Sequence, residues 1–516
     1  MTAAVTVRRD HGLRRRWDRQ LLRLSGLLDG EHADRLLPWF IAAVAFVLLV
    51  ALDAAAIRSH DGGSGLSPWL QAAWRREHGW VGFPVGGADP ARATWSLVSE
   101  PILWLTRFVP AEAVFSVVQS AAIAIAIVPL WRLARDEARL RVGATVVVTI
   151  AYVLAPALQR ANLTAFHPEV IALPALIWAY RLARQGHWRR YAVLVVLVLG
   201  CRADLGLTVA AMGLLLVSEG RRRPGAITAL VGLAWSITAV IVLAPATAEG
   251  PLTPAGEFVG RSTAPLAVMP QLVTHPLSEL KGLLAEPSVL FLVVVLAPLL
   301  FLPLVSPRKL AVALPGLVLA MIADRSVQRT AESQVLDLAP AAAHIAPSMS
   351  FVFIALVFAL ERIGELSVTR VNVDRRVVLA LLAGSMLFFV TEAPTSPYRQ
   401  PWAWGSQDAL DGARQIAAGR VSDSEEVAVS PSAAVLLADR ADLVELPLAP
   451  QDFTSHRVTI VSRDVDVVLL DTTGTDRRTG AQVWTPDRRQ RVLDRFRADG
   501  LEPSYEAEHI FLLRRR

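Results

Sequence analysis

The chain has 516 residues, 53% of them hydrophobic and only 19% charged, with a mean hydropathy of +0.42. Soluble proteins carry roughly 25% charged residues, and here the apolar residues fall in blocks of about twenty, the length that crosses a bilayer core. That pattern excludes a soluble globular protein, and the net charge of +6 does not signal nucleic acid, because the arginines sit in short loops between apolar blocks, as positive-inside topology requires.

Residues 1–36 include Arg14-Arg15-Arg16 and precede an apolar block with no small-residue cleavage site after it. They read as a cytoplasmic tail before a retained anchor, not as a signal peptide. A transmembrane region over 37–394 follows. Its first span runs from Leu37 to Ile57. The first outer loop, 58–110, holds two helix-like stretches, Pro68 to Glu77 and Thr94 to Phe108, whose tryptophans suit a membrane interface. Spans follow at Glu112–Leu133, Val142–Leu158 and His167–Arg184, with a basic turn from Arg132 to Arg141.

Between Arg189 and Arg223 lies an apolar stretch broken at Arg202-Ala203-Asp204. At about 30 residues it is too short for two full spans, which need about 40. It predicts two short helices meeting at an apex inside the membrane region, where irregular backbone must be shielded by protein or line a wet cavity. Further spans are expected near Gly225–Ala246, Pro287–Val305, Lys309–Ala323, Pro347–Arg362 and Arg375–Ala393. About eleven helices then place every basic loop inside and the C-terminus outside.

From 404 to 516 the composition becomes that of a soluble, extracytoplasmic domain. Glu426 to Val429, Val458 to Val461, Val465 to Leu470 and Ile510 to Leu513 read as strands, and Ser406 to Ala418 and Pro486 to Asp499 as amphipathic helices. The alternation predicts a small α/β unit. The fold class is thus an all-α polytopic membrane protein carrying a small C-terminal α/β domain.

Charged groups in membrane spans are costly, so each is a functional candidate. His167, Pro168 and Glu169 open the fourth span, where a helix start favours an anion such as phosphate. Arg202 and Asp204 sit at the apex of the short pair at a similar depth. The bland alternative is a helix cap at His167 and mutual neutralisation of Arg202 and Asp204. The first outer loop region offers Asp53, Asp61, Asp89 and Glu100 as acids, with Asp61 beside the flexible Gly62-Gly63. Asp61 or Asp53 is the candidate general base toward a hydroxyl acceptor; a solvated turn residue is the competing reading. Asp324 and His344 are weaker candidates. The sequence holds no Walker loop, no HExxH and no dinucleotide-binding glycine pattern. The single Cys201 rules out a disulfide framework, and no metal site or cofactor is predicted.

Phe166-His167-Pro168-Glu169, an apolar span and then Arg202-Ala203-Asp204-Leu205-Gly206-Leu207 resemble the bacterial polytopic membrane proteins grouped as domain of unknown function 2079. Gly62-Gly63 through Gln71 and Trp74 fit too, as does the ending in which a strand at Val467 to Asp471 precedes a helix and a last apolar strand. The resemblance covers the chain from Leu37 onward. That family is similar to the glycosyltransferase C (GT-C) superfamily, which implies a bacterial cell-membrane protein using sugars linked to a polyprenyl phosphate at the outer face, with an essential acid in the first outer loop. This chain departs from the pattern. Gly65-Leu66-Ser67 stands where the family has Asp-Leu-Gly, Ala165 replaces an Asp, Arg202-Ala203-Asp204 replaces Lys-Glu-Asp, and Pro340 replaces a later His.

Three functions follow as expectations. One is a membrane glycosyltransferase using a polyprenyl-phosphate sugar, with Asp61 or Asp53 as base and His167, Glu169, Arg202 and Asp204 binding substrate. The second is a non-catalytic protein that binds lipid-linked saccharide or another envelope component. The third is a transporter, which lacks support from any duplicated pair of interrupted helices.

Overall fold

The computed structural model describes residues 31–58, 66–79, 96–163, 166–248, 286–321, 345–367, 369–398, 406–440, 443–446, 465–473 and 484–516. Asp61, Asp89, Asp324, His344 and the expected strand Val458 to Val461 lie outside these residues.

Helix α1 (Glu31–Arg58) is followed by two short helices of the first loop, α2 (Ser67–Glu77) and α3 (Ser99–Leu105). Pro110 starts α4 (Ala111–Glu137), which closes in a π-helical turn over Leu133–Glu137 and so carries the basic turn on its own last turn. Next come α5 (Val142–Val153) and α6 (Pro156–Leu163), bent by 42° where Pro156 interrupts the ladder. A short 3₁₀ turn at Pro168–Ile171 leads into α7 (Ala172–Gln185), which ends on Gly186 in the left-handed conformation.

The expected short pair is present as α8 (Trp188–Cys201) and α9 (Leu205–Ser218). Each is about 21 Å long, against about 42 Å for α1, so their apex stops part way along the bundle. A loop segment covers it: the Val98 N–H donates to Gly200 O at 3.0 Å, and Ser99 is fully buried beside it. Helix α10 (Arg222–Ala248) runs back along α9 with backbone contact. A Cβ on Gly213 would lie 2.4 Å from Ala229 N, and one on Gly232 2.5 Å from Gly206 O. Small residues let membrane helices approach this closely.

Helix α11 (Glu286–Leu296) gives way to 3₁₀ turns at Pro298 and Pro303, where Leu300 and Phe301 both have left-handed backbone. Helix α12 (Ala346–Ile363) is the centre of the bundle, with every residue from Phe351 to Val357 fully buried. Tyr152 and Tyr180 pack edge-on against its Phe353 and Phe351. A hairpin, β1 (Glu365–Ser367) and β2 (Arg370–Asn372), joins it to α13 (Arg375–Glu392), whose first turn is capped by Asp374. The apolar faces left exposed on α1, α8, α10 and α13, such as Phe40, Val196, Ile237 and Leu387, are those a bilayer would cover.

Among the described residues three helical stretches, Asp34–Arg58, Ala111–Glu137 and Ala346–Ile363, are long and apolar enough to span a membrane, and the bent α5–α6 pair makes a fourth. Of the about eleven helices expected, these three or four are the ones that pass as spans among the described residues. Helices α8 and α9 are short, as expected, and the apolar run Pro287 to Val305 is broken by its prolines.

The C-terminal elements are α14 (Ala409–Ala418), β3 (Val427–Val429), β4 (Leu443–Glu445), β5 (Val467–Asp471), α15 (Pro486–Ala498), β6 (Leu501–Ala507) and β7 (Ile510–Arg515). Helix α14 opens with a capping box between Asp408 and Asp411. The sheet has the order β4-β3-β5-β7-β6, parallel on both sides of β3 and antiparallel beyond β5. Apolar side chains fill both faces, with Phe496 and Trp484 on one and Leu437 and Ile510 on the other.

The two ends of the bundle differ. At one end Asp34 binds Arg135 at 2.7 Å and Arg370 at 3.6 Å. Arg184 reaches Glu137, Lys309 reaches Glu219, Arg221 donates to Arg184 O and Arg362 donates to Val305 O. The basic loops of the sequence therefore meet on a single face. At the other end of α1, Gln407 donates to Arg58 O at 3.3 Å, and Val435 and Ala438 pack with Leu66 and Trp69 of the first loop. The sheet is docked on that end.

Candidate functional site

Near the sheet-side end of α1, Asp53 lines an open cleft with Ile57, Leu66, Glu112, Ser116, Gln119 and Phe166, whose enclosed space is about 20 Å³, room for about one water. Asp53 is 8% exposed, and Ser116 lines the same cleft. Among the described residues no cation pairs with it within 4.0 Å. Three aromatic rings wall the site: Trp69 stands edge-on to Phe166 at 5.0 Å, and Phe115 stacks on Phe166 at 4.6 Å.

Gln119 connects the cleft to the second cluster. Its amide nitrogen donates to Ala161 O and Asn162 O at 2.7 and 3.1 Å, and its oxygen accepts the His167 N–H at 2.6 Å. Asn162 in turn donates to Leu49 O, one turn before Asp53 on α1, and accepts from Ser120. The polar residues of α4 thus pin the backbone on both sides of the cleft.

Beyond Gln119 the sequence-predicted residues come together. Arg202 holds Asp204 through two nitrogens at 2.5 and 2.8 Å and Glu169 at 2.5 Å, and His167 Nδ1 lies 3.5 Å from the same Glu169 oxygen. All four residues are at most 8% exposed. Arg202, expected to hold a phosphate, spends its guanidinium on two carboxylates. An ion so deeply buried needs such partners, since its desolvation costs several kcal/mol.

Glu100 does not join the cleft; it forms an exposed ion pair with Arg76 at 2.8 Å. Ser116, Gln119 and Glu112 are not among the residues singled out by sequence. A signal for them exists: Ser116, Gln119 and Ser120 recur at helical spacing within an otherwise apolar span, a polar stripe that must face protein or a cavity. Among the described residues no group of three or more His, Cys, Asp or Glu side chains is placed to hold a metal.

The family model described as predicted membrane protein (DUF2079) matches residues 95–500. No curated protein matches the chain. Among solved structures the chain is similar to the single-particle cryo-EM structure of arabinofuranosyltransferase AftD from Mycobacteria, at 14% identity and a TM-score of 0.45. That match covers 92% of this chain and 39% of the arabinofuranosyltransferase, so the chain spans well under half of that protein's length. With its model matched over most of the sequence, this chain belongs to the DUF2079 family of membrane proteins.

Proposed function

We propose that the chain is a membrane-embedded transferase that moves a sugar from a polyprenyl-phosphate donor to a hydroxyl acceptor at the outer membrane face. The observation that carries this reading is Asp53, a carboxylate buried near the end of a membrane span, turned into a cleft with aromatic walls and paired with no cation among the described residues. Burying such a group is costly without a functional return. The outer-face assignment is supported by the ion pairs of Arg135, Arg184 and Lys309, which gather at the opposite end of the bundle.

In this reaction Asp53 accepts the proton of the acceptor hydroxyl as its oxygen bonds to the anomeric carbon. The carbon–oxygen bond to the phosphate breaks, and the polyprenyl phosphate leaves with the electron pair. The aromatic rings of Trp69, Phe115 and Phe166 offer apolar faces to the sugar, and Gln119 fixes the backbone between Asp53 and the buried cluster. The cluster of His167, Glu169, Arg202 and Asp204 shapes the floor.

The test is sugar incorporation in membranes from a radiolabelled polyprenyl-phosphate sugar. General-base catalysis contributes about 10²–10⁴-fold, so Asp53→Asn should lower incorporation by at least about 100-fold while the protein still extracts as a monodisperse species. Unchanged incorporation would end the proposal. One observation favours a second reading, a binding protein without catalysis: Arg202, the cation the sequence offers for the donor phosphate, is engaged by Glu169 and Asp204. Binding of the donor without any turnover in the native protein would select that reading.

A further inference from the structure

Helices α8 and α10 both begin at the basic end of the bundle, where Arg221, just before α10, donates to Arg184 O in the last turn of α7. Near that end the two helices touch. Tyr191 of α8 and Thr228 of α10, each 5% exposed, share a hydrogen bond at 2.9 Å. Arg189 and Arg190 stand within one turn before Tyr191, and Arg222 and Arg223 open α10 about 7–9 Å of rise before Thr228.

All four arginines are exposed, and among the described residues none of them forms an ion pair. Other basic side chains of this end are neutralised within the protein: Arg135 by Asp34, Arg181 by Asp136, Arg184 by Glu137 and Lys309 by Glu219. Under each unpaired couple runs an apolar stripe. Arg189, Val193 and Val196 follow one another at i, i+4 and i+7 on α8, and Arg223, Ile227, Leu230 and Ile237 keep the same helical spacing on α10. The apolar members of both stripes are 59–69% exposed, and they continue the faces that a bilayer would cover.

We infer that this corner binds an anionic phospholipid of the cytoplasmic leaflet, its phosphate between the arginines of α8 and those of α10 and its acyl chains along the two stripes. Charge complementarity selects the headgroup, because unpaired guanidinium forks match phosphate oxygens. The two stripes beneath select a lipid over a soluble anion, which has nothing to lay on them. Trp188, edge-on to Tyr191 at 5.8 Å, stands beside the arginines at the level an interfacial tryptophan takes. The lipid ties α8 to α10 at the end where the short pair meets the membrane surface, since its other end, at Arg202, is buried inside the bundle. The site lies at the opposite end from Asp53 and does not rest on the transferase reading.

The full-length protein in a neutral detergent is titrated with dioleoylphosphatidylglycerol, and binding is read by native mass spectrometry and by the shift in thermal midpoint. This lipid should raise the midpoint and bind at least about 10-fold more tightly than dioleoylphosphatidylcholine. Arg189→Gln with Arg190→Gln should weaken it by about 10–30-fold and remove the midpoint shift, and so should Arg222→Gln with Arg223→Gln. All four side chains are exposed, so these variants should fold as the native protein does. Arg375→Gln with Arg376→Gln, an equally exposed pair that opens α13 beside Asp374, should leave binding within about 2-fold. Native affinity in both the α8 and the α10 variants would overturn the inference. Equal binding of the two lipids, or an equal loss in the α13 variant, would also overturn it, by marking general attraction to lipid. Full competition by inorganic phosphate would do the same, by marking a site for a free anion.

Discussion

Arg202 Nη1 lies 2.5 Å from Glu169 Oε1, joining residues 33 positions apart at the apex of the short helix pair and at the start of α7. The same guanidinium holds Asp204 on its other side, so one cation ties three backbone segments together inside the bundle.

Substitutions at this contact tell a structural role of the cluster from a substrate-binding one. Glu169→Gln or Arg202→Met should each destabilise the protein by about 3–5 kcal/mol, because each leaves a buried charge with too few partners. Replacing Arg202, Glu169 and Asp204 together with apolar residues of similar volume should recover most of that loss. Thermal unfolding in detergent measures both. Stability recovered without sugar incorporation would give the cluster a substrate role; recovery of both would make it a strut.

The α9–α10 seam should be the least tolerant contact in the bundle. Gly213→Val must push Ala229 away from a position only 2.4 Å from the new Cβ. A cost of about 3 kcal/mol or more is expected, since backbone cannot move aside as a side chain can. A Cβ added to Gly143, on α5, would meet nothing within 4 Å, so Gly143→Ala should be neutral or gain up to about 1 kcal/mol. Comparing the thermal midpoints of the two variants checks the claim.

The β6–β7 hairpin turns on Glu508 and His509, with φ of 47° and 67°. A two-residue turn with both φ positive favours Asn-Gly, and other residues pay roughly 1–2 kcal/mol each for a left-handed backbone. Glu508→Asn combined with His509→Gly should therefore raise stability by about 1–2 kcal/mol. The double change also removes the hydrogen bond between His509 and Arg489, which is exposed and contributes little. A midpoint unchanged or lowered in the full-length double variant would contradict this account of the turn.

Asp471, at the end of β5, gives the C-terminal sheet an acid limit. Burial alone would raise its pKa, but Arg414 and the hydrogen bonds from Ser432 and Thr473 outweigh burial and hold it below its ordinary 3.8. A depressed carboxylate stabilises the fold fully above the unfolded-state value, about 3.9, and loses that contribution as pH falls through the lower folded value. Trp484 fluorescence should therefore report loosening of the sheet below about pH 4 in the native protein. In Asp471→Asn the sheet should be weaker at neutral pH and show less of that acid dependence.

Much of this arrangement can be read from residue order. Arg202-Ala203-Asp204 interrupts an apolar run too short for two spans, so the α8–α9 pair and its buried apex follow from length alone. The apolar run at Val465 to Leu470 becomes the central strand β5, whose five residues are all buried. Strand β6 escapes a sequence reading because Leu501–Ala507 contains Pro503 and alternates with Glu and Ser, the composition of a loop; as an edge strand it tolerates the proline and is held by β7. Strand β4, only three residues long, has no periodicity to detect. The cleft is half legible. Asp53 is a candidate from its place near the end of a span, but its neighbours Ser116 and Gln119 come from another helix, and only packing brings them together.

The docking of Val435 and Ala438 onto Trp69 and Leu66 sets an order of assembly. The first loop leaves the ribosome early, whereas its apolar partners on the sheet are made roughly 370 residues later, about 20–70 s at 5–20 residues per second. Throughout that interval the Trp69 cluster lacks the part of its packing that Val435 and Ala438 supply, so this contact closes late in synthesis, and a chain truncated before Val435 would leave Leu66 and Trp69 without it.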